Sequence, residues 1–346
     1  MSAVPVVELR GDAFAVGFQH GAARSAALHG FLDDGLCRLN KVMERPLTTV
    51  ELGPMLTAYE AAIVADVPAF REELQGLAAG AGVTPMEATI LQIRREIMGY
   101  RRVVTAGDCT TYARTGPDCV LAQTIDLNGD LEDQLCVLDI ARNGTGRRAL
   151  VLTFTGLLGY LGMNSDGLAI GLNLVLGGTW KAGLPPYLAI RHLLESAGTV
   201  TEALDLLAGL KLASSRSLTL CDSRTAACVE FLDGRIATVQ ARETVHTNHF
   251  LHPDFVASDQ INVFARNSSM RRLQACRARL ANLPHGCGAD EHFAVLAEPP
   301  IFVPDQGDIR RERTVATVVM QPAEGVLHVR PGNPNSNDIQ SFRFAA

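Results

Sequence analysis

The sequence is poor in the features that mark several common protein classes. No two of its eight cysteines stand at CxxC spacing, and none joins histidines in a zinc-type cluster. That excludes a small zinc module and a thioredoxin-type redox motif. The cysteines (37, 109, 119, 136, 221, 228, 276 and 287) are scattered along 346 residues, a length that needs no disulfide scaffold. There is no basic run, no interleaving of aromatic with basic residues, and the formal charge is -6, so no nucleic-acid partner is expected. No apolar run of about 18 residues occurs, and no membrane span is expected. The opening "MSAVPVVELRGDAF" lacks a basic stretch followed by an apolar one, and the chain reads as cytoplasmic. Internal repeats and low-complexity linkers are missing as well, which favours one domain over residues 1–346. With 47% hydrophobic and 20% charged residues, the composition is that of an ordinary globular core and surface.

Periodicity divides the chain. Up to about residue 100, "AVGFQHGAARSAALHGFLDDGLCRL" and "PMLTAYEAAIVADVPAFREELQGLAAGAGV" carry apolar residues at three-and-four spacing, which predicts helices. "TPMEATILQIRREIMGY" adds another, with Thr84 as N-cap, Pro85 at the first helical position and Glu87 completing a capping box. From Cys109 onward the pattern turns to short β-type runs: "CVLAQTID", "CVLDIAR", "RRALVLTFT", "LGMNSDGLAIGLN" and "SLTLCDSRTAACVEFLDGRIATVQA". Helices return at "PPYLAIRHLLESAGTVTEALDLLAGL" and "SSMRRLQACRARLANL", before the closing strands "RTVATVVMQPAEGVLHVR" and "IQSFRF". Strand runs outnumber β-α-β alternations, so the expected class is α+β, with antiparallel sheets covered by helices on their outer faces.

One stretch does not fit a structural reading. In "TAGDCTTYAR", Cys109 is flanked by Gly107, Asp108, Thr110 and Thr111 rather than by an apolar run. A free thiol with a pKa of about 8.5 is only slightly ionised at neutral pH and needs a base to act as a nucleophile. Neither a papain-type nor a caspase-type signature surrounds it. A cysteine at a chain terminus carries its own base, since an α-amino group titrates at about 7.7–8.0. Asp126 lies seventeen residues further on in "AQTIDLN", the distance at which two strands joined by a tight turn return a carboxylate beside the first strand's start. The histidines of "HTNHFLH" (246, 249 and 252) do not share a strand or helix face, so no metal is expected. No cofactor is expected either.

The segments "ELRGDAFAVGFQHG", "LQIRREIM", "GDCTTYA", "LAQTIDLN", "GLLGYLGMNSDGLAIGLN", "HTNHF" and "RTVATVVM" together resemble the acyl-CoA:6-aminopenicillanic acid acyltransferase family of N-terminal-nucleophile hydrolases. Choloylglycine hydrolases and penicillin V acylases are more distant relatives of that family. The resemblance runs in order from about residue 7 to residue 344. It implies a four-layer αββα sandwich and self-cleavage between Asp108 and Cys109, which would convert a zymogen into chains 1–108 and 109–346. Asp108 departs from the family pattern, in which glycine precedes the cysteine.

The same resemblance implies roles for particular residues. Cys109 would be the nucleophile, Asp126 the partner of its amino group, and Asn248 a donor to the oxyanion. Arg313 would sit near the nucleophile, although the adjacent Arg310 and Arg311 leave the register open. Asn173, Thr110 and Thr111 are candidates for oxyanion or substrate contacts, and Arg94 and Glu96 for support of the cleaved loop. The implied reaction is hydrolysis of a small-molecule amide, or acyl transfer, through an acyl-Cys109 thioester. Three readings stand beside it: an acyl-CoA-dependent N-acyltransferase, an unprocessed ligand-binding homologue, and a redox sensor built on Cys109 and Cys119. A homo-oligomer stays open.

Overall fold

The alternating segments that follow Cys109 fold into strands. A computed structural model of the protein describes residues 3–99 and 109–344. Asp108, one side of the expected cleavage point, lies outside the described residues. The strands are β1 (Val6–Gly11), β2 (Thr110–Arg114), β3 (Val120–Leu127), β4 (Leu135–Arg142), β5 (Ala149–Phe154), β6 (Leu161–Asn164) and β7 (Ala169–Leu174). After them come β8 (Arg216–Cys221), β9 (Ala226–Leu232), β10 (Arg235–Ala241), β11 (Glu243–His246), β12 (Arg313–Gln321), β13 (Val326–Pro331) and β14 (Gln340–Arg343). They form an eight-stranded sheet in the order β1-β4-β5-β6-β7-β8-β9-β10 and a six-stranded sheet in the order β11-β2-β3-β12-β13-β14.

Helices cover the outer faces. The first half supplies α1 (Ala13–Asp33), α2 (Leu39–Val42), α3 (Thr49–Asp66), α4 (Ala69–Ala81), α5 (Pro85–Gln92) and α6 (Arg94–Met98). The second supplies α7 (Pro186–Ser196), α8 (Val200–Leu207), α9 (Pro253–Val256), α10 (Val263–Leu280) and α11 (Ala289–Ala297). The result is an αββα sandwich in the α+β class. Its main core joins the facing sides of both sheets to α1, α3, α4 and α7. A second cluster packs Tyr112, Val120 and Ala122 of the six-stranded sheet against Leu273 and Cys276 of α10 and Phe293 of α11.

Two features go beyond or against the sequence expectation. The first hundred residues are mostly helical, as expected, but they also hold a strand: Val6–Gly11 pairs in parallel with β4, Val6 opposite Val137. Its exposed-buried alternation over "VVELRG" is a strand signature, short and adjacent to a long helix. The pairing also carries the larger sheet across the 108/109 boundary, so the two halves share one sheet. The redox pairing of Cys109 with Cys119 meets a geometric obstacle. Antiparallel register sets Arg114 opposite Val120, so the hairpin holds the two cysteines at opposite ends. Five residues of extended strand separate them by roughly 16 Å, well beyond disulfide reach. Cys119 instead shares a thiol hydrogen bond with Cys221.

The helix pair α1–α4 is joined without side chains at its crossing. A Cβ placed on Gly17 would fall on the carbonyl oxygen of Glu73, and one on Gly21 on that of Leu77. Reciprocally, Gly76 meets the carbonyl of Phe14 and Gly80 that of Phe18. Two glycines four apart on each helix therefore let the backbones touch. This contact fixes Glu73, whose carboxylate holds the fully buried Arg191 of α7 (Oε1 to Nη1, 3.0 Å). Glu195 completes the cluster (Oε1 to Nη2, 2.7 Å).

Substitution should separate close approach from helix propensity. Gly17→Ala must push the backbones apart and is expected to lose about 1–3 kcal/mol in urea unfolding. Gly30→Ala, in the same helix with open space around its Cβ position, should gain about 0.5–1 kcal/mol. Equal effects at both positions would contradict the backbone-contact assignment.

Candidate active site

Register brings the expected site residues to one end of the six-stranded sheet. Thr110 faces Thr124 across the β2–β3 hairpin and Asp126 faces Thr314 on β12. Continuing the antiparallel step places Cys109 opposite Ile125, the residue before Asp126. Both Cys109 and Asp126 are buried. One oxygen of the Asp126 carboxylate accepts from Thr314 Oγ1 at 2.7 Å.

The backbone at Cys109 is held by side chains from two other layers. Asn173, on β7 of the facing sheet, donates Nδ2 to the Cys109 carbonyl at 3.0 Å. Arg272, on α10, donates Nη1 to the same oxygen at 2.7 Å and to Thr110 Oγ1 at 3.1 Å. Its Nη2 donates to Asn248 Oδ1 at 2.7 Å. The fork of one guanidinium thus spans Cys109 and Asn248, a geometry that a lysine ammonium does not reproduce. One helical turn earlier, Ser269 Oγ accepts from the Asn248 backbone N–H at 2.8 Å. Asn248 in turn donates Nδ2 to the Leu174 carbonyl at 3.0 Å, the residue after Asn173.

Arg272 is not among the residues expected from the sequence, yet the sequence carries a signal for it. Ala265, Ser269, Arg272, Leu273 and Cys276 lie on the buried face of α10. A charged residue on such a stripe is rarely buried unless it has partners. Thr111, by contrast, packs toward Gly171 between the sheets, and its hydroxyl has no hydrogen-bond partner among the described residues.

Other candidates go elsewhere. Arg313 pairs with Glu132 (3.0 Å), Asp130 (3.5 Å) and Asp305 in a partly exposed ion-pair cluster, and its neighbour Thr314 is the residue that reaches Asp126. Alternation along β12 explains the divergence, since adjacent residues point to opposite faces. Arg94 and Glu96 also part company. Glu96 turns inward to Ser214 Oγ (2.9 Å) and Arg216 Nη2 (3.2 Å). Arg94 lines a cavity at the end of β3 that also touches Leu127, Asn128, Leu91, Phe154, Tyr160 and Tyr187.

The three histidines of the 246–252 loop take separate partners. His246 bonds Glu230 Oε1 (2.8 Å) and the Thr247 carbonyl (2.7 Å), His249 contacts Ser269 Oγ (2.7 Å), and His252 caps α9. His249 is driven down to about 4, first by burial and then by the nearby charges of His246, Arg266 and Arg272. No helix among the described residues is long and apolar enough to cross a membrane.

Comparison with known proteins agrees with this architecture. A family model described as acyl-coenzyme A:6-aminopenicillanic acid acyl-transferase matches residues 114–336, a span that starts just past Cys109 and contains Asp126, Asn173, Asn248 and Arg272. The chain is 27% identical to the acyl-coenzyme A:6-aminopenicillanic-acid-acyltransferase 40 kDa form of Emericella nidulans, across 96% of this chain and 94% of that protein. A conjugated bile acid hydrolase variant from Clostridium perfringens superposes with a TM-score of 0.52 at 14% identity, over 68% of this chain and 92% of that one, a likeness of fold. Penicillin V acylase from Agrobacterium tumefaciens gives a TM-score of 0.49 at 18% identity, over 68% of this chain and 86% of that one.

Two measurements probe the site's framework. Arg272→Met removes one of the two side-chain donors to the Cys109 carbonyl and the guanidinium donor to Asn248 Oδ1, and since hydrogen bonds to charged groups are worth about 1.5–3 kcal/mol each, a loss of about 3 kcal/mol is expected in urea unfolding. Arg272→Lys should recover less than half of it; full recovery would show that the fork geometry is immaterial. His249 has its folded-state value below the ordinary 6.5, so the unfolded chain takes up the proton first as pH falls. The stability contributed by neutral His249 is complete above about pH 6.5 and lost as pH falls through about 4. His249→Gln should therefore flatten the loss of stability over that window, and unchanged slopes would assign the acid sensitivity to other groups.

Proposed function

From the premise that the chain belongs to the acyl-coenzyme A:6-aminopenicillanic acid acyl-transferase family, we propose that it is an enzyme that hydrolyses a linear amide, or transfers its acyl group, through a thioester on Cys109. Cleavage of the Asp108–Cys109 bond would create the free α-amino group that serves as base. The observation that supports the reading is the clamp on Cys109, whose carbonyl accepts from both Asn173 and Arg272, with Asp126 two residues beyond Thr124, the hairpin partner of Thr110.

In the proposed turnover the α-amino group takes the thiol proton, and the thiolate attacks the substrate's amide carbon. Negative charge gathers on the former carbonyl oxygen. Asn248 is the donor we assign to it, and removal of one such donor lowers turnover by about 10²–10³-fold. Collapse of the tetrahedral species breaks the C–N bond, the ammonium returns its proton to the leaving amine, and acyl-Cys109 remains. Water then releases a carboxylic acid, or a second amine takes the acyl group. A carboxylate near the new ammonium stabilises and orients it, which is the part given to Asp126. Arg313, committed to its three carboxylates, would brace the segment before β12 without touching the reacting atoms.

Intact mass under denaturing conditions tests the premise of this chemistry. Wild type should resolve into one chain ending at Asp108 and one beginning Cys-Thr-Thr-Tyr. Cys109→Ala should stay a single species of 37.1 kDa. A single uncleaved chain for both would remove the terminal-cysteine mechanism and favour a ligand-binding homologue, the reading for which Asp108 in place of glycine speaks.

A further inference from the structure

Two thiols meet where the sheets are joined, at the far end of the β2–β3 hairpin from Cys109. Cys119 immediately precedes β3, and Cys221 is the last residue of β8, so each stands at the base of a turn. The two turns touch: the Gly116 backbone N–H donates to the Ser223 carbonyl at 3.1 Å. The Cys221 sulfur lies 3.3 Å from the Arg114 carbonyl, and Arg114 is the hairpin partner of Val120, the residue after Cys119. The thiols of Cys119 and Cys221 share a hydrogen bond across this junction. Cys221 has a single proton to give, and it turns to the Cys119 sulfur once that sulfur is a thiolate.

The surroundings set this pair apart from other buried thiols. Burial pushes Cys37, Cys136 and Cys276 up to about 12 and Cys228 up to about 11. Cys119 moves the other way. The hydrogen bond from Cys221 lowers it first, the Ala323 backbone N–H adds to that, and together they outweigh its burial and the charges of Asp222 and Asp118. The same hydrogen bond, followed by burial, raises Cys221. One thiol is thus readied to attack and its neighbour to resolve the product. Cys119 is 2% exposed and Cys221 fully buried, which bars bulky reagents. A cavity lined by Gly116, Pro117, Asp118, Ser223 and Arg224 runs along both turns and leaves an approach for a small one.

We infer that Cys119 and Cys221 form a modification site at which a small peroxide closes a disulfide, stapling the six-stranded sheet to the eight-stranded one. The Cys119 thiolate attacks one oxygen of hydrogen peroxide, the O–O bond breaks, and hydroxide leaves with Cys119 as a sulfenic acid. The Cys221 sulfur then attacks the Cys119 sulfur. The S–S bond forms as the S–O bond breaks, and the departing oxygen takes the Cys221 proton and leaves as water. Two thiols are oxidised and one peroxide is reduced. The staple closes a loop that spans 102 residues (221 minus 119), which restricts the unfolded chain. It does not consume Cys109, and it stands apart from the amide chemistry proposed above.

Peptide mapping after treatment of the full chain with hydrogen peroxide, with the remaining thiols alkylated in urea, tests the assignment. Wild type and Cys109→Ala should both yield a linked pair of peptides carrying Cys119 and Cys221, which dithiothreitol in urea separates. Cys136 and Cys276 should be recovered as free thiols. The oxidised chain should melt about 3 °C or more above the reduced one, and Cys119→Ser and Cys221→Ser should each lose both the link and that rise. Recovery of Cys119 and Cys221 as alkylated thiols, a link from either to another cysteine, or an oxidation that dithiothreitol does not reverse would each overturn the inference. Melting under reducing conditions shows that the variants compared are folded, and the mapping of wild type decides the matter should a serine variant fail to fold. Since mapping needs no turnover and the link is sought without Cys109, a missing staple leaves the amide chemistry standing, and an unsplit chain leaves the staple standing.

Discussion

The candidate site depends on one buried guanidinium. Arg272 comes from α10, in the helical layer outside the six-stranded sheet, yet its two terminal nitrogens reach the carbonyl of Cys109 and the side chain of Asn248. Those acceptors belong to separate parts of the chain, the start of β2 and the loop after β11. Since the fork is planar and its N–H directions are fixed, both acceptors must hold their relative positions for it to be satisfied. Ser269, a turn away on the same helix, fixes the Asn248 backbone. One helix face thereby sets where the thiol begins and where the amide side chain stands. Asn173 supplies the third support from the opposite sheet, so the Cys109 carbonyl is gripped from both sides of the sandwich.

Strand alternation then sorts the chemistry by face. Along β3, Val120 and Ala122 turn to the helices, whereas Leu121 and Ile125 turn to the core between the sheets. Gln123, also on the inner face, bonds both backbone groups of Leu172 on β7 (2.8 and 3.0 Å) and locks the spacing of the two sheets beside the site. The same rule separates Thr314 from Arg313 on β12: one side chain meets Asp126, the other a surface cluster of carboxylates. A shift by one residue in any of these strands would exchange the two sets. The register is thus a functional constraint as much as a packing one.

Much of this was legible in the sequence, and the reasons are physical. Periodicity marked the change from helices to strands at Cys109, and the capping box at Thr84 and Glu87 placed α5 correctly. The unusual surroundings of Cys109, and the spacing that brings Asp126 back beside it, pointed to one sheet end. What stayed hidden depends on contacts across layers. β1 is a lone short strand whose partner lies more than a hundred residues away. Arg272 and Ser269 gain meaning only when α10 is docked on the sheet, because within the helix they read as polar interruptions of an apolar stripe. The direction of Arg313 follows from strand alternation and from the carboxylates of Asp130, Glu132 and Asp305, which spacing alone does not bring together. Arg94 and Glu96, two positions apart on one short helix, looked like a single unit, and a rotation of about 200° between them sends their side chains to different neighbours.

That separation of Arg94 from Glu96 shows how one short helix serves two layers. Glu96 is consumed by the protein's own Ser214 and Arg216, and so contributes to the position of the larger sheet. Arg94 is only partly buried. Its Nε donates to the Cys37 carbonyl at 2.8 Å, and its Nη2 is closed off beside Gly129, where a Cβ would lie 2.6 Å away. A larger residue at position 129 would have to displace that guanidinium, so the loop after β3 and the junction of α5 with α6 constrain each other. That glycine follows Asp126 by only three residues, and the placement of the carboxylate proposed to serve the amino group of Cys109 therefore depends on packing in the helical layer as well as on strand register.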